Sequence, residues 1–261
     1  MHLHFNISGS VCALLASFCV FLHAIPASAS VVINGTRVIF PSNEREVSVR
    51  LTNEGASPGL VQMWIDKGDP KSTPNATEVP FLLTPPLFRV DPAKGQTVRM
   101  IYSQEPLPQD HESIFWLNLL EVPPRPQNVD PDDSNYVQMA FRTRIKVFFR
   151  PQALNTQEQV GTAPTKVTWK IVRDGDTYFL EAQNPTPYYI NVVKTGLVNA
   201  NDEKEVVPKF LNDEGGMLAP GKQERYALKN LKQTPPAALK VRFSYLNDYG
   251  GAVDVDSALT Q

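Results

Sequence analysis

Short runs of alternating or β-branched residues, separated by turn-forming residues, fill the chain from Val31 onward. Successive side chains of a β-strand point to opposite faces, so this alternation predicts strands with one buried face. Proline removes a backbone donor and interrupts helices, and the sequence contains 23 prolines. With no amphipathic window of helical length, the pattern predicts an all-β fold of the sandwich class.

The beginning of the chain has the pattern of a secretory signal peptide. An apolar run from Val11 to Pro26 is too short to span a bilayer and is followed by the small residues Ala27-Ser28-Ala29. We therefore predict a signal peptide over 1–29, cleaved near Ala29. No second long apolar run follows, so we expect the exported protein not to be embedded in a membrane.

Composition excludes several classes of function. Cys12 and Cys19 both lie in the predicted leader, so the exported chain would have no disulfide, thiolate zinc site or cysteine nucleophile. His111 is the only histidine beyond the leader, which limits both Ser-His-Asp catalysis and histidine-based metal sites. A formal net charge of −2 gives no reason to expect nucleic-acid binding. We expect no catalytic residues, no cofactor and no metal.

A polar segment rich in helix and strand breakers divides the predicted strands into two series. This segment, Gln152–Thr165, has the composition of an interdomain linker. We predict an N-terminal domain over 30–151 and a C-terminal domain over 152–261.

The segment from Val137 to Phe149 predicts one unusually long strand. Its odd positions are apolar or Thr, and its even positions are largely basic. At about 3.3 Å per residue it would exceed about 40 Å, whereas ordinary strands have about 5–6 residues. Lys146 in this context needs an edge position or an acidic partner. Arg142 and Arg144 are interpreted as surface charges that protect an edge strand from unwanted pairing.

Two further candidate sites have simpler explanations. His111 lies beside acidic residues and Ser113, but adjacent residues in a turn rarely give triad geometry, so we expect an ordinary loop. Glycosylation patterns occur at Asn34 and Asn75, which chance matches also produce. Asn34 also falls in a predicted strand.

Five stretches together resemble the periplasmic chaperones of pilus assembly, the PapD-like family. They occur in the family's order and span most of the predicted exported chain. They are LTPPLFRVDPAKGQTVRM, LPQDHESIFWLNLLEVPPR, RTRIKVFFRP, QNPTPYYI and SYLNDYGG.

The resemblance implies two immunoglobulin-like β-sandwich domains arranged as an L, and a periplasmic function. Members bind pilin (fimbrial) subunits by donor-strand complementation and deliver them to an outer-membrane usher. A pilin sandwich lacks its last strand, and the chaperone lends one, whose alternate apolar side chains enter the open groove. By this resemblance the inserted residues are Val137, Met139 and Phe141. Their exposure also suggests self-association of the free chaperone through this strand.

Two further groups of residues follow from the resemblance. Arg37 and Lys146, with Thr36, would hold the subunit's C-terminal carboxylate and so fix the register of the donated strand. An interdomain ionic cluster would support the angle between the domains. Its members are Glu112, Arg150 and Asp248.

Two features depart from the resemblance, and two alternative functions are considered beside it. Met139 and Lys146 lie on opposite faces of a regular strand, so their joint role needs a twist, a bulge or two faces used differently. The loop over 125–135 is longer than in the short-loop branch of the family, but the lack of a cysteine pair favours that branch. A structural fimbrial subunit or adhesin domain is the alternative function, although a mature start at Ser30 leaves no room for its N-terminal donor extension. A secreted β-sandwich hydrolase would lack a nucleophile–base pair.

Overall fold

The structure is a computed structural model that describes residues 30–75, 78–124, 138–201, 211–229, 231–233 and 239–260. The predicted signal peptide, its two cysteines and Val137 lie outside these ranges. The described residues consist mainly of strands, which confirms the predicted all-β fold. Within them, no helix is long and apolar enough to cross a membrane.

The first unit is a sandwich of two sheets. Four strands form one sheet in the order β1-β3-β7-β5, and five form the other in the order β2-β9-β8-β4-β6. Among the described strands of this unit, β2 and β9 alone pair in parallel. The strands are β1 (Val31–Ile33), β2 (Arg37–Pro41), β3 (Glu46–Asn53), β4 (Gly59–Asp66), β5 (Phe81–Thr84), β6 (Leu87–Val90), β7 (Gly95–Tyr102), β8 (Ser113–Val122) and β9 (Phe141–Arg150).

A buried apolar cluster joins the two sheets of this unit. Phe40 and Phe149 are fully buried and their rings stack with centroids 6.1 Å apart. Phe81 packs against both rings from the opposite sheet. The parallel strands β2 and β9 are therefore anchored in the core near their C-terminal ends.

The second unit is a smaller sandwich with its own core. Its sheets have the orders β10-β11-β14 and β13-β12-β15-β16. Trp169 is fully buried between them, against Phe243. The strands are β10 (Thr168–Asp174), β11 (Thr177–Gln183), β12 (Ile190–Asn199), β13 (Gly216–Leu218), β14 (Gln223–Ala227), β15 (Leu239–Leu246) and β16 (Ala252–Ala258).

The predicted linker contains short helical segments, contrary to the expectation of none. Helix α1 (Gln157–Thr162) is flanked by 3-10 turns at Gln152–Leu154 and Pro164–Lys166. The Thr156 hydroxyl accepts from the Gln159 amide and caps α1. Such a short helix leaves no periodic pattern long enough to recognise in sequence.

The first predicted strand is in fact two. The break over 34–36 places β1 and β2 in different sheets. Asn34, expected in a strand, therefore lies in this exposed connection. Side-chain alternation alone cannot show that a chain changes sheets.

The long strand also begins later than predicted, because β9 starts at Phe141 and the residues over 138–140 are not in a strand. Its partner β8 pairs only as far as Glu121, opposite Phe141. Pro123 and Pro124 follow β8 and cannot donate to a continuing ladder.

Candidate functional site

Half of β9 has an open edge. β2 pairs with residues Lys146–Arg150 of β9 only. Residues Phe141–Ile145 pair with β8 on one side, and no strand among the described residues pairs with them on the other. Their outward backbone groups are thus available to another strand.

The odd-numbered face of β9 changes from core to surface along the strand. Val147 and Phe149 are fully buried, and Ile145 packs against the same core. Phe141 is 46% exposed and Met139, just before the strand, is 60% exposed. Two predicted donor residues are therefore exposed apolar side chains beside the open edge, and the third, Val137, lies outside the described residues.

Arg142 and Arg144, on the even-numbered face, are partly exposed as predicted, but both side chains are also held by partners on neighbouring strands. The Arg144 guanidinium pairs with Asp66 and stacks over Trp116, 5.0 Å from the ring centroid. The Arg142 guanidinium stacks over Trp64 at 4.7 Å. Their partners come from β4 and β8, which lie far away in sequence.

Arg37 and Lys146 are direct neighbours where β2 joins β9. Arg37 Nη1 donates to the Leu246 carbonyl at 3.0 Å, and Lys146 Nζ donates to Asn191 Oδ1. Both acceptors belong to the second unit. Neither cation forms an ion pair with any carboxylate in the described ranges.

The surroundings of these two cations make their charged forms less favourable. Burial lowers the pKa of Arg37, and the charges of Asp248 and Glu112 only partly oppose this. Burial also lowers the pKa of Lys146, and the nearby Arg37 charge lowers it further. A bound anion would relieve both effects.

Thr36 lies next to this pair, against the β15–β16 turn. A Cβ built on Gly250 would come within 2.2 Å of Thr36 Oγ1. Gly250 also has a positive φ of 80°. The absence of a side chain at Gly250 thus allows the two units to approach each other here.

Arg150 bridges the two units through two carboxylates. Its Nε donates to Glu112 Oε1 at 2.7 Å, and its two terminal nitrogens donate to Asp248 at 2.6 and 2.9 Å. Glu112 also accepts from the Tyr189 amide at 2.8 Å. Burial lowers the pKa of Arg150, but hydrogen bonds and charge from Asp248 and Glu112 raise it above the ordinary value.

A cavity of about 380 Å³ opens between the two units beside this cluster. Arg37, Phe148 and Leu246 line it together with residues of the linker. Glu112 and Asp248 pair with Arg150, whereas Arg37, which also lines the cavity, has no ion pair among the described residues.

His111 has the surroundings of a loop residue. Its exposed ring contacts Asp110 at 2.7 Å, while the neighbouring Glu112 turns inward to Arg150. In the part of the chain that the structure describes, no three histidine, cysteine or acidic residues could share a metal ion. Asn75 is exposed.

Sequence reasoning missed two polar residues of this region. Asn191 accepts from Lys146, and Asp66 binds the two β9 arginines. Asp66 is only 2% exposed, but nothing in GLVQMWID distinguishes a buried carboxylate from one at a strand end. The sequence gives no signal for Asn191 either, because its partner Lys146 belongs to the other unit.

Two family models match the chain. Residues 30–155 match the N-terminal domain of PapD, described as a pili and flagellar-assembly chaperone. Residues 162–257 match the C-terminal domain of the pili assembly chaperone PapD.

Individual proteins and solved structures agree with these matches. The probable fimbrial chaperone YadV of Escherichia coli K12 is 38% identical over 232 residues, covering 88% of this chain and 90% of YadV. The crystal structure of the CupB2 chaperone of Pseudomonas aeruginosa has a TM-score of 0.69 and 36% identity, covering 88% of this chain and 100% of CupB2. The SafB chaperone of Salmonella enterica, solved in complex with the SafA pilin, shares the fold with a TM-score of 0.67 and 21% identity, covering 90% of this chain and 99% of that one.

Proposed function

The chain belongs to the PapD family of pili assembly chaperones, and from this premise we propose that it binds pilin subunits by donor-strand complementation. It then delivers the bound subunits to an outer-membrane usher. The proposal makes β9 the donor strand and assigns the chain a binding role without catalytic residues or a cofactor.

The open edge of β9 is the observation that carries this proposal. Over Phe141–Ile145 the strand pairs with β8 on one side and, within the described part of the chain, with no strand on the other. A pilin sandwich that lacks a strand needs both ladder hydrogen bonds and apolar side chains. The open edge supplies the first, and the neighbouring apolar side chains supply the second.

The donor side chains are Val137, Met139 and Phe141. Burial of each contributes about 1.5–3 kcal/mol before the costs of association. Met139 and Phe141 already project into solvent in the free chain. Their exposure would also let two free chaperones pair through the same edge, so we include self-association in the proposal.

The cation pair fixes the register of the bound subunit. Arg37 and Lys146 hold the subunit's C-terminal carboxylate, and the Thr36 hydroxyl adds a hydrogen bond. Both cations lack an ion-pair partner among described residues, and charge-assisted bonds in a partly buried cleft are strong and directional. The carboxylate would replace Leu246 and Asn191 as the acceptor.

The cluster of Glu112, Arg150 and Asp248 supports the arrangement of the two domains. We propose that it holds them as an L, with boundaries at 30–151 and 152–261. Its bidentate contact joins β9 directly to the β15–β16 turn.

The proposed site of action is the periplasm. A signal peptide over 1–29 would direct export and be removed near Ala29. We also propose the short-loop type of the family, because residues 30–261 contain no cysteine.

Co-purification tests the proposal. The tagged chain is purified from periplasm together with a coexpressed pilin subunit, beside Arg37→Ala and Lys146→Ala variants. Both variants should lose the subunit while melting at the temperature of the unmodified chain. Arg99→Ala, which removes an exposed cation from the other sheet, is the matched control and should keep it. Full subunit recovery by both cleft variants would contradict the carboxylate anchor.

A further inference from the structure

The structure assigns a positioning role to Asp66: we propose that its carboxylate holds the open half of β9 in its extended conformation. This half of β9 is thereby presented to a client in one register. This inference rests on the proposed function, because the half of β9 concerned is the donor segment. Asp66 itself would not contact the client.

Asp66 is a buried carboxylate surrounded by donors. Its Oδ2 accepts from Asn118 and from Ser72, both at 2.8 Å, and its Oδ1 accepts from the Gly68 amide at 2.6 Å and from Arg144. A carboxylate this deeply buried is unfavourable without compensating donors. Burial raises the pKa of Asp66, but the four hydrogen bonds outweigh it and hold the pKa below its ordinary value.

Arg142 is connected to the same group through shared partners. Its Nη2 donates to Asn118 Oδ1 at 2.7 Å and to Ser72 Oγ at 3.0 Å, and lies 3.8 Å from Asp66 Oδ2. Its Nη1 donates to the Pro70 carbonyl at 2.7 Å. These bonds fix the direction of the guanidinium, because its donors lie in one plane.

The two arginines also cover two tryptophans. Arg142 lies over Trp64 and Arg144 over Trp116. A guanidinium over a tryptophan ring is attracted by the ring's negative face, even where the cation is partly exposed. Each arginine is therefore held by a ring beneath it and by polar partners at its end.

The position of the two arginines explains why their contacts with Asp66 affect the open half of β9. They belong to the half of β9 that has no outer neighbour among the described strands, and they reach across β8 to Asp66 on β4. Backbone pairing on one side alone leaves a strand prone to fraying. The side-chain connection to a second strand replaces the support that a neighbouring strand would give.

Amide hydrogen exchange of the free chain tests this role without a client. In Asp66→Asn, slowly exchanging amides over 141–145 should exchange about tenfold faster, with the remaining strands unchanged. Affinity for the pilin subunit that co-purifies with the unmodified chain should fall about tenfold or more. Glu46→Gln, which alters an exposed ion pair in the same domain, is the matched control and should change neither.

Other results would overturn the inference. Unchanged exchange over 141–145, faster exchange spread across the whole domain, or full subunit affinity despite local fraying would each do so. If Asp66→Asn does not fold, Arg142→Lys serves instead, because it keeps the positive charge but loses the several donors of the guanidinium. Arg142→Lys should speed exchange over 141–145 by a smaller factor. Unchanged exchange in this variant would overturn the inference. If the unmodified chain retains no pilin, the proposed function fails, while the exchange result still decides what Asp66 does to β9.

Discussion

Arg37 and Lys146 occupy paired positions on two parallel strands, and both donate to acceptors of the second domain. Two like charges at adjacent positions of a sheet repel each other. The arrangement therefore gains from any anion that binds both.

The pH dependence of client binding should follow Lys146. Burial and the Arg37 charge lower its pKa in the free chain, and a bound carboxylate would raise it again. A group whose pKa rises on binding favours binding below its free pKa, so affinity should be full there and fall as pH rises through it.

A peptide with the client's C-terminal sequence provides the measurement for this prediction. Titration calorimetry should show about tenfold or greater loss of affinity when its carboxylate is amidated. Lys146→Met should remove the pH trend and reduce the preference for the free acid, of which Arg37 would keep a part. Equal binding of acid and amide by the unmodified chain would contradict the prediction.

Phe141 should affect client binding and not folding. Phe141 is exposed over nearly half of its surface and lies outside the buried core, so Phe141→Ser should change the free energy of unfolding by about 0.5 kcal/mol or less. Subunit binding should weaken by about 1.5–3 kcal/mol, the transfer free energy of one large apolar side chain. Leu82→Ser, which changes an exposed apolar residue of the other sheet, is the control for both measurements.

Arg150 should be the most sensitive member of the interdomain cluster. Burial raises the pKa of Glu112, so this carboxylate depends on Arg150 to stay charged. Arg150→Met would leave it buried without its cation and should cost about 3–5 kcal/mol of unfolding free energy.

Asp248→Asn is the comparison for Arg150→Met. Asp248 is partly exposed, and its loss leaves the Arg150–Glu112 pair intact, so the cost in urea unfolding should be clearly smaller. Equal costs for the two variants would show that Glu112 does not depend on Arg150.

Gly250 and Thr36 should be energetically coupled across the domain junction. Gly250→Ala places a Cβ at positive φ, which costs about 1–2 kcal/mol, and also against Thr36 Oγ1. Adding Thr36→Ala removes the obstructing hydroxyl and should recover part of the loss. A double-mutant cycle by chemical denaturation should give a coupling of about 0.5 kcal/mol or more, and strict additivity would contradict the contact.

Local sequence patterns predicted the sandwich fold because alternation follows directly from the geometry of a strand. They failed where a strand depends on its neighbours. Residues 138–140 keep the alternating pattern, but prolines follow directly after β8, and β8 does not pair with these residues. The change of sheet between β1 and β2 also leaves the alternating pattern intact.

The candidate site was accessible only through family resemblance. Arg37 and Lys146 come together because β2 and β9, the second and the last strands of the first domain's sequence, pair in the folded sheet. The ion pairs of Arg142 and Arg144 could not be predicted for the same reason, since Asp66 reaches these arginines only through the folded sheet.

The parallel pairing of β2 with β9 determines the polarity of a bound client strand. β2 begins at Arg37 and continues along β9 away from the open edge. A client strand on that edge whose carboxyl end meets Arg37 must run in the same direction as β2. Client and β2 would then lie end to end along β9, as one edge strand composed of two chains.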